Sequence, residues 1–297
     1  MRREIVPKGF PDKICVSEPP ALPSRRQDSN KGTYGTVLVV GGAPGMAGAA
    51  YLSALAAYRS GAGLVRVFTC EENRVILQTL LPEAVLITYK SDEPHKIPVY
   101  LSAAADSASA VVIGPGLSQS DIARLQLETV LKIAVSPLII DADALNILSK
   151  NEKLWELRAC AASPVIITPH MGEMSRLSGK SIEELKASPE SEAAAFAVSR
   201  GVVCVMKDAE TTVSDGVRTY VNHSGCSGLS KGGSGDVLTG VIAALAAQKM
   251  PAFDASCLGV YLHGKAGETA SEKLSEYSLL ARDIADALPL AFREAQL

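Results

Sequence analysis

The sequence has few aromatic residues and no long apolar run. Only 5% of its 297 residues are aromatic, and no segment approaches the roughly 18 apolar residues of a membrane-spanning helix. Basic residues at the N-terminus are not followed by an apolar segment of the signal-peptide type. These absences predict a cytoplasmic protein with one large domain, whose core consists mainly of aliphatic residues and alanine.

The chain also lacks an excess of positive charge. Lysine and arginine number 29, against 32 for aspartate and glutamate, so no net positive charge drives sequence-independent binding to nucleic acid or anionic lipid. We therefore expect neither a nucleic-acid partner nor a membrane partner.

No two cysteines form a Cys-x-x-Cys pair. Several of them lie within apolar runs, as small buried hydrophobic side chains do. We expect reduced thiols, which are typical of a cytoplasmic protein. The cysteines are Cys15, Cys70, Cys160, Cys204, Cys226 and Cys257.

Short aliphatic runs alternate with helix-like stretches from residue 36 onward. The runs lack polar alternation, which is typical of strands that are covered on both faces. This alternation predicts right-handed crossovers and a mostly parallel sheet. The predicted helices include 45–60, 121–134 and most of the chain from 236 onward. The predicted strands are 36–42, 64–69, 110–114, 137–143, 165–169 and 202–206.

Two segments depart from this alternation. Asp215-Gly216 stands between two β-rich runs in 211–221, which predicts a two-residue hairpin and an antiparallel flap at the sheet edge. Residues 1–30 are rich in proline and charge, which predicts an extended arm that lies on the domain or hangs off it. The domain itself is then expected to span 31–297.

Four predicted strands end in glycine, proline, aspartate or histidine. The segments are VVGGAPG, VIGPG, IIDADALN and ITPHMGE. The carboxyl ends of parallel strands lie on one rim of the sheet, so all four segments would face one ligand crevice. Each segment alone is also compatible with a simple turn, whereas the four together favour a binding site.

The segment GGAPGMAG resembles a dinucleotide-binding fingerprint, because it follows a strand and opens a helix. Its glycines, Gly41, Gly42, Gly45 and Gly48, do not fall on the G-x-G-x-x-G spacing. We also expect no acid at the end of the strand near 65–69 that would hold a ribose. A Rossmann dehydrogenase is therefore disfavoured.

The segment GGSGD, residues 232–236, precedes an apolar helix. Its three glycines let successive backbone N–H groups converge, and a helix starting at about 236 adds the positive end of its dipole. Such an anion hole suits phosphate oxygens, and Asp236 beside a bound phosphoryl group is placed to take a proton from an attacking hydroxyl. A glycine-rich turn with an acidic N-cap has the same sequence pattern. The pentapeptide alone leaves both interpretations open.

GGSGD ahead of an apolar helix resembles the anion-hole and catalytic-acid signature of ribokinase-like enzymes. Together with 31–65, VVIGPGLS, IIDADALN, ITPHMGEMSRL, VMKDAETTV and CLGVYLHGKAGE, it resembles the ADP-dependent NAD(P)H-hydrate dehydratases. The motifs follow the family's order from about Lys31 to the end of the chain. The resemblance implies an α/β fold, a ribokinase-like three-layer α/β/α sandwich with a mostly parallel central sheet and a small antiparallel edge hairpin.

In this family a nucleotide phosphate drives the repair of a hydrated nicotinamide cofactor. The resemblance implies ADP-dependent dehydration of the S epimer of NADHX or NADPHX to NADH or NADPH, with release of AMP and phosphate. ADP is then a co-substrate and Mg²⁺ a cofactor. The resemblance also implies a homo-oligomer, often a tetramer, and an NAD(P)HX epimerase as functional partner on a separate chain, because the segment before Lys31 is too short for the fused epimerase domain of some relatives.

The resemblance assigns a role to individual positions. Asp236 would be the catalytic base, and no residue is assigned as a metal ligand. Ala43 and Gly116 would contact the hydrated cofactor through their backbone, and His170 through its side chain. Gly235 would contact the nucleotide. The segment that matches the nucleotide-phosphate site comprises Lys207, Asp208, Ala209, Glu210 and Thr211.

Two features of the chain depart from the family pattern. Asp208 and Glu210 stand where the family commonly has glycine and a small or basic residue. Both acids would repel nucleotide phosphates unless they point away or help to hold Mg²⁺. Lys231, just before the anion hole, is placed to offset part of their charge.

Two other functions are compatible with parts of the sequence. A ribokinase-like kinase for a vitamin precursor or a sugar would use the same anion hole and release a phosphorylated product. TPHMGE together with GGAPGMAG favours the dehydratase over this kinase. A silent nucleotide-binding regulator would bind without turnover, and the presence of Asp236 argues against it.

Overall fold

One ten-stranded sheet forms the middle layer of the protein. The computed structural model describes residues 14–157 and 163–296; residues 1–13 of the predicted arm and Cys160 lie outside these ranges. The strands are β1 (Ile14–Val16), β2 (Thr36–Val40), β3 (Leu64–Cys70), β4 (Val85–Tyr89), β5 (Ala110–Ile113), β6 (Leu138–Ile140), β7 (Val165–Ile167), β8 (Val203–Met206), β9 (Thr211–Ser214) and β10 (Arg218–Asn222).

Helices cover both faces of this sheet. Short 3₁₀ turns occur at Lys31–Tyr34, Glu71–Asn73, Pro94–Lys96, Glu152–Leu157 and Ser227–Leu229. The α-helices are α1 (Ala47–Arg59), α2 (Arg74–Leu80), α3 (Ile97–Ala105), α4 (Asp121–Ile133), α5 (Ala142–Lys150), α6 (Met171–Ser178), α7 (Ile182–Ala187), α8 (Pro189–Arg200), α9 (Ser234–Ala247), α10 (Ala252–Leu274) and α11 (Ala281–Glu294).

The predicted α/β sandwich with a mostly parallel sheet is confirmed. The strand order is β1-β10-β9-β8-β7-β6-β5-β2-β3-β4, and β2 to β8 run parallel. In β2, Val37 and Val39 pack into the core under α1, α9, α10 and α11, whereas Leu38 and Val40 pack into the core on the opposite face. Both faces are apolar because both are covered, as the sequence pattern predicts.

The carboxyl ends of the parallel strands meet on one rim. The next strand in the chain, β3, lies on one side of β2, whereas β5 lies on the other side of β2. The gap between β2 and β5 is therefore the topological switch point, where ligands of open α/β sheets commonly bind.

The predicted hairpin is antiparallel, but its turn differs from the prediction. Three residues rather than two separate β9 from β10, because the Asp215 carboxylate accepts the N–H groups of Val217 and Arg218 and widens the turn. Only Gly216 in this loop takes a positive φ, of 93°. The hairpin is also not the outermost element, since β1 pairs parallel with β10 and covers its edge.

Other local expectations are corrected by the structure. The predicted arm supplies β1, and farther along it Arg25 lies over the Tyr34 ring, so this part is laid on the domain. Glu71 directly follows β3, so the expected absence of an acid there is wrong, but its carboxylate is paired with Arg74 at 2.6 Å. Helix α9 begins at Ser234, two residues earlier than predicted, which is the usual uncertainty of a helix end.

Several absences apply to residues 14–157 and 163–296 only. No helix there combines the length and apolar character needed to cross a membrane. The cysteines in these ranges form no disulfide. Cys70, Cys204 and Cys257 are buried, Cys226 is partly buried and Cys15 is exposed.

Candidate active site

A cavity of about 860 Å³ opens at the rim beside the start of α9. Gly233, with φ of 93°, caps this helix, and Ser234, Gly235 and Asp236 form its first turn. Within the described part of the chain, no acceptor takes the N–H groups of Gly235 and Asp236. Unpaired N–H groups and the helix dipole create a positive potential there, which suits an anion. The predicted anion hole is thus present as geometry.

Asp236 is partly buried at the wall of this cavity. Its backbone carbonyl accepts hydrogen bonds from Ser53 Oγ and Thr239 Oγ1, each at 2.8 Å, which fix the first turn of α9. Burial, followed by the negative charge of Asp141, raises the pKa of Asp236 to about 7, although Lys207 opposes the shift. A carboxylate with a pKa near neutrality is suited to accept a proton.

Lys207 and Asp141 form a partly buried ion pair across the rim. Lys207 follows β8, Asp141 follows β6, and Lys207 Nζ lies 2.9 Å from Asp141 Oδ1. Burial lowers the pKa of Lys207, but Asp141 and then Glu173 outweigh this and leave it above its usual value. The ammonium group is therefore charged and available to a phosphate.

The absence of a side chain at Gly235 makes room for this ion pair. A Cβ at Gly235 would lie 3.1 Å from Lys207 Nζ and 3.5 Å from Asp141 Oδ2. The third glycine of GGSGD therefore lets a lysine approach the helix N-terminus, where both can contact one anion. Asp141 was assigned no role from the sequence, although its segment IIDADALN was placed on the rim.

His170 and Glu173 form a capping box at the start of α6. His170 Nδ1 accepts the N–H groups of Gly172 and Glu173, at 3.0 and 3.4 Å, so Nε2 carries the proton of the neutral ring. Burial, with help from Lys207, lowers the pKa of His170. Both side chains line the cavity. Burial raises the pKa of Glu173 to about 7. The only signal for this residue in the sequence is its place in TPHMGE.

Ala43 and Gly116 lie together, but outside this cavity. The Ala43 N–H donates to the Gly116 carbonyl at 2.6 Å, which joins the loops that follow β2 and β5. Four strand spacings, about 19 Å, separate β2 from β8. The predicted site residues therefore form two groups on one rim, one at the switch point and one around Lys207, with Asp141 following a strand between them.

Similarity to known proteins shows the family of the chain. The family model for NAD(P)H-hydrate dehydratases matches residues 37–290, which include both groups of site residues. The chain belongs to this family.

Individual members of the NAD(P)H-hydrate dehydratase family are similar over most of the chain. An ADP-dependent (S)-NAD(P)H-hydrate dehydratase from Neisseria meningitidis is 37% identical, over 91% of this chain and 88% of its own length. The chain spans about half the length of the curated bifunctional NAD(P)H-hydrate repair enzymes that it matches, for example 58% of the one from Moorella thermoacetica and 49% of the one from Escherichia coli.

Solved structures agree with the family and with the predicted fold. The ADP/ATP-dependent NAD(P)H-hydrate dehydratase from Bacillus subtilis, co-crystallised with ATP and Mg²⁺, superposes with a TM-score of 0.78 at 32% identity, over 93% of this chain and 95% of that one. A ribokinase-like superfamily protein from Enterococcus faecalis gives a TM-score of 0.79 at 30% identity, over 93% and 92%.

Other side chains pair with the two acids that depart from the family pattern. Lys186 Nζ on α7 lies 3.1 Å from an Asp208 carboxylate oxygen, and His223 Nδ1 lies 2.8 Å from Glu210 Oε1. Lys231, which was suggested for this task, instead donates to the Tyr277 carbonyl at 2.6 Å. Lys207, Asp208, Ala209 and Thr211 of the predicted phosphate segment line the cavity, whereas Glu210 does not.

The carboxylates of the cavity suit Mg²⁺ only if a bound substrate supplies further oxygen ligands. Within residues 14–157 and 163–296, no group of three or more His, Cys, Asp or Glu residues is arranged to hold a metal ion. Mg²⁺ is usually held by one or two carboxylates plus substrate phosphates. Asp141 and Glu173 are buried, line the cavity and supply such hard oxygen ligands.

Proposed function

We propose that this protein uses ADP to dehydrate the S epimer of NADHX or NADPHX, and so restores NADH or NADPH. The observation that carries this proposal is the position of Asp236, a partly buried carboxylate with a pKa of about 7 in the first turn of the anion-hole helix. A base beside free backbone N–H donors and a partly buried lysine suits phosphoryl transfer to a hydroxyl.

The chemistry of the hydrate explains the need for a phosphoryl donor. Hydroxide is a poor leaving group, whereas phosphate leaves far more readily. Asp236 takes the proton of the ring hydroxyl. The oxygen of that hydroxyl then attacks the terminal phosphorus of ADP, and AMP leaves. The ring nitrogen then expels phosphate as the carbon–oxygen bond breaks, and loss of a ring proton restores the dihydropyridine.

The two groups of rim residues divide the ligands between them. Ala43 and Gly116 at the switch point are proposed to contact the hydrated cofactor, with His170 reaching it from β7. Gly235 and the segment from Lys207 to Thr211 are proposed to hold ADP. Asp236 lies beside Lys207 and Asp141, where the ring hydroxyl and the terminal phosphate would meet.

Mg²⁺ is proposed as the cofactor, with the carboxylates of Asp141 and Glu173 and the nucleotide phosphates as its ligands. When bound, it neutralises charge on the transferred phosphoryl group. Both carboxylates also lie near Lys207. A divalent cation would offset the negative charge that they bring to the site. The co-crystallisation of the Bacillus subtilis relative with ATP and Mg²⁺ supports the use of Mg²⁺ together with a nucleotide.

The cellular setting is proposed from the same family membership. We propose a cytoplasmic homotetramer formed by the domain that spans 31–297, which receives the S epimer from an NAD(P)HX epimerase on a separate chain. The names of the bifunctional relatives support a link between the two activities.

Isotopic labelling tests the order of the chemical steps. Hydrate carrying heavy oxygen at the ring hydroxyl should yield labelled inorganic phosphate, one-to-one with the dihydronicotinamide formed, because that oxygen attacks phosphorus before its bond to carbon breaks. Mass spectrometry of phosphate and absorbance of the product measure the ratio. Label recovered in water would refute a phosphorylated intermediate, and accumulation of a phosphorylated product would favour the kinase instead.

The pH profile tests the assignment of the base. Because the pKa of Asp236 is raised to about 7, its basic form is lost below neutrality, and kcat/KM should fall as the pH decreases through about 7. In Asp141→Asn the acid limb should move to lower pH, since a neighbouring negative charge that raises the pKa of Asp236 is removed.

Glu173→Gln is the control for this profile, because the pKa of Glu173 is also raised to about 7. The acid limb should persist in this variant. A limb that disappears with Glu173, or that stays in place in Asp141→Asn, would contradict the assignment to Asp236.

A further inference from the structure

The carbonyl oxygen of Gly42, in the loop after β2, accepts hydrogen bonds from three buried side chains. Asn73 Nδ2 lies 2.6 Å from it, Thr69 Oγ1 2.8 Å and Cys70 Sγ 3.4 Å. Asn73 also donates to Thr69 Oγ1 at 3.0 Å, so both of its amide hydrogens are used. We call Thr69, Cys70 and Asn73 the Gly42 cradle.

The Gly42 cradle holds the loop in a conformation that favours glycine. Gly42 has φ of 74°, and a Cβ there would lie 2.8 Å from Thr69 Oγ1. On the opposite side, the Gly42 N–H donates to the Pro115 carbonyl at 3.0 Å, and the Ala43 N–H donates to Gly116 at 2.6 Å. The loop is thus anchored to the end of β3 on one side and to the loop after β5 on the other.

Gly116 keeps a free backbone donor at this junction. The Ala43 N–H is already paired, whereas the described residues offer no acceptor to the N–H of Gly116 or to that of Gly45, which is exposed to solvent. Gly116 is only partly buried. An unpaired donor at the switch point of a parallel sheet is suited to contact a ligand. The position of the Gly116 N–H depends on the loop that the Gly42 cradle fixes.

We propose that Thr69 and Asn73 are positioning residues that set the affinity for the nicotinamide ligand and leave nucleotide affinity unaffected. The identity of that ligand rests on the proposed function. Neither residue lines the cavity around Lys207 and Asp236. Loss of either donor removes one of the three hydrogen bonds that hold the Gly42 carbonyl, and loss of the Thr69 hydroxyl also removes the acceptor of a buried Asn73 amide hydrogen. The loop is then held less firmly, so the switch-point contacts weaken while the anion hole stays intact.

Two variants that keep side-chain size test the proposal. Thr69→Val removes the hydroxyl, and Asn73→Leu removes the amide. We expect the dissociation constant for NADH, measured by titration of its fluorescence, and the KM for the hydrate to rise roughly ten- to hundredfold. The dissociation constant for ADP should stay as in the wild type. If Asn73→Leu does not fold, Thr69→Val decides the question.

Thr129→Val is the matched control, because Thr129 is also a buried threonine and its hydroxyl donates to the Leu125 carbonyl within α4. It should leave both affinities unchanged. Wild-type NADH affinity in Thr69→Val, or a parallel loss of ADP and NADH affinity, would overturn the proposal. If the wild type binds NADH without dehydrating the hydrate, the proposed function fails, and the titrations still judge the positioning role.

Discussion

Asp236→Asn should lower turnover by roughly 10²–10⁴, the usual span for a lost general base, while ADP still binds. The variant keeps the shape of the side chain and the backbone carbonyl that Ser53 and Thr239 anchor. Only the proton acceptor is removed. Steady-state kinetics with ADP titrations separate turnover from binding.

Asp121→Asn is the matched control for this loss. Asp121 is likewise an acid in the first turn of a helix, α4, but it lies outside the cavity around Lys207. Its substitution should leave turnover near that of the wild type. Near-normal turnover in Asp236→Asn would remove Asp236 from its proposed role.

Asp236→Asn should also stabilise the protein at high pH. The pKa of Asp236 is raised from 3.8 to about 7, chiefly by burial, so the folded protein binds this proton more tightly than the unfolded chain. Ionisation of Asp236 therefore destabilises the folded protein, and the free energy of unfolding decreases as the pH rises from about 4 to about 7. Asp236→Asn should raise Tm by a few degrees at pH 8 and by little near pH 4. An unchanged or lower Tm at pH 8 would contradict the burial of an unfavourable charge.

Gly235→Val should raise the KM for ADP by roughly a hundredfold or more, about 3 kcal/mol of binding free energy. Its Cβ would lie 3.1 Å from Lys207 Nζ, and its two methyl groups would occupy space beside the ion pair where a phosphate is expected. Gly235 has no positive φ, so the loss is steric and the helix should still form. Circular dichroism and a thermal scan verify folding.

Gly232→Ala is the comparison within the same loop, because a Cβ at Gly232 would meet nothing within 4 Å. Its effect on the KM for ADP should be much smaller than that of Gly235→Val. Unchanged nucleotide affinity in Gly235→Val would mean that GGSGD is only a turn.

Local patterns were sufficient to predict most of the framework. The apolar runs predicted β2, β3 and β5 to β8, because a strand buried on both faces needs an apolar side chain at every position. The edge strands β1 and β4 were missed, since each contacts only one neighbour and most of their residues are not fully buried. The hairpin turn was predicted incorrectly because the Asp215 side chain, rather than the dipeptide alone, sets its length.

The sequence by itself determined the fold class, the rim of strand ends and the presence of a helix that begins within GGSGD, because these depend on neighbours within a few residues. Only the tertiary structure decided which distant groups meet. Asp141 and Lys207 are 66 residues apart and form one ion pair, and Asn73 reaches Gly42 across 31 residues. Charge and burial depend on such encounters through space, so the raised pKa of Asp236 and the pairing of Asp208 with Lys186 had no signal in the local sequence.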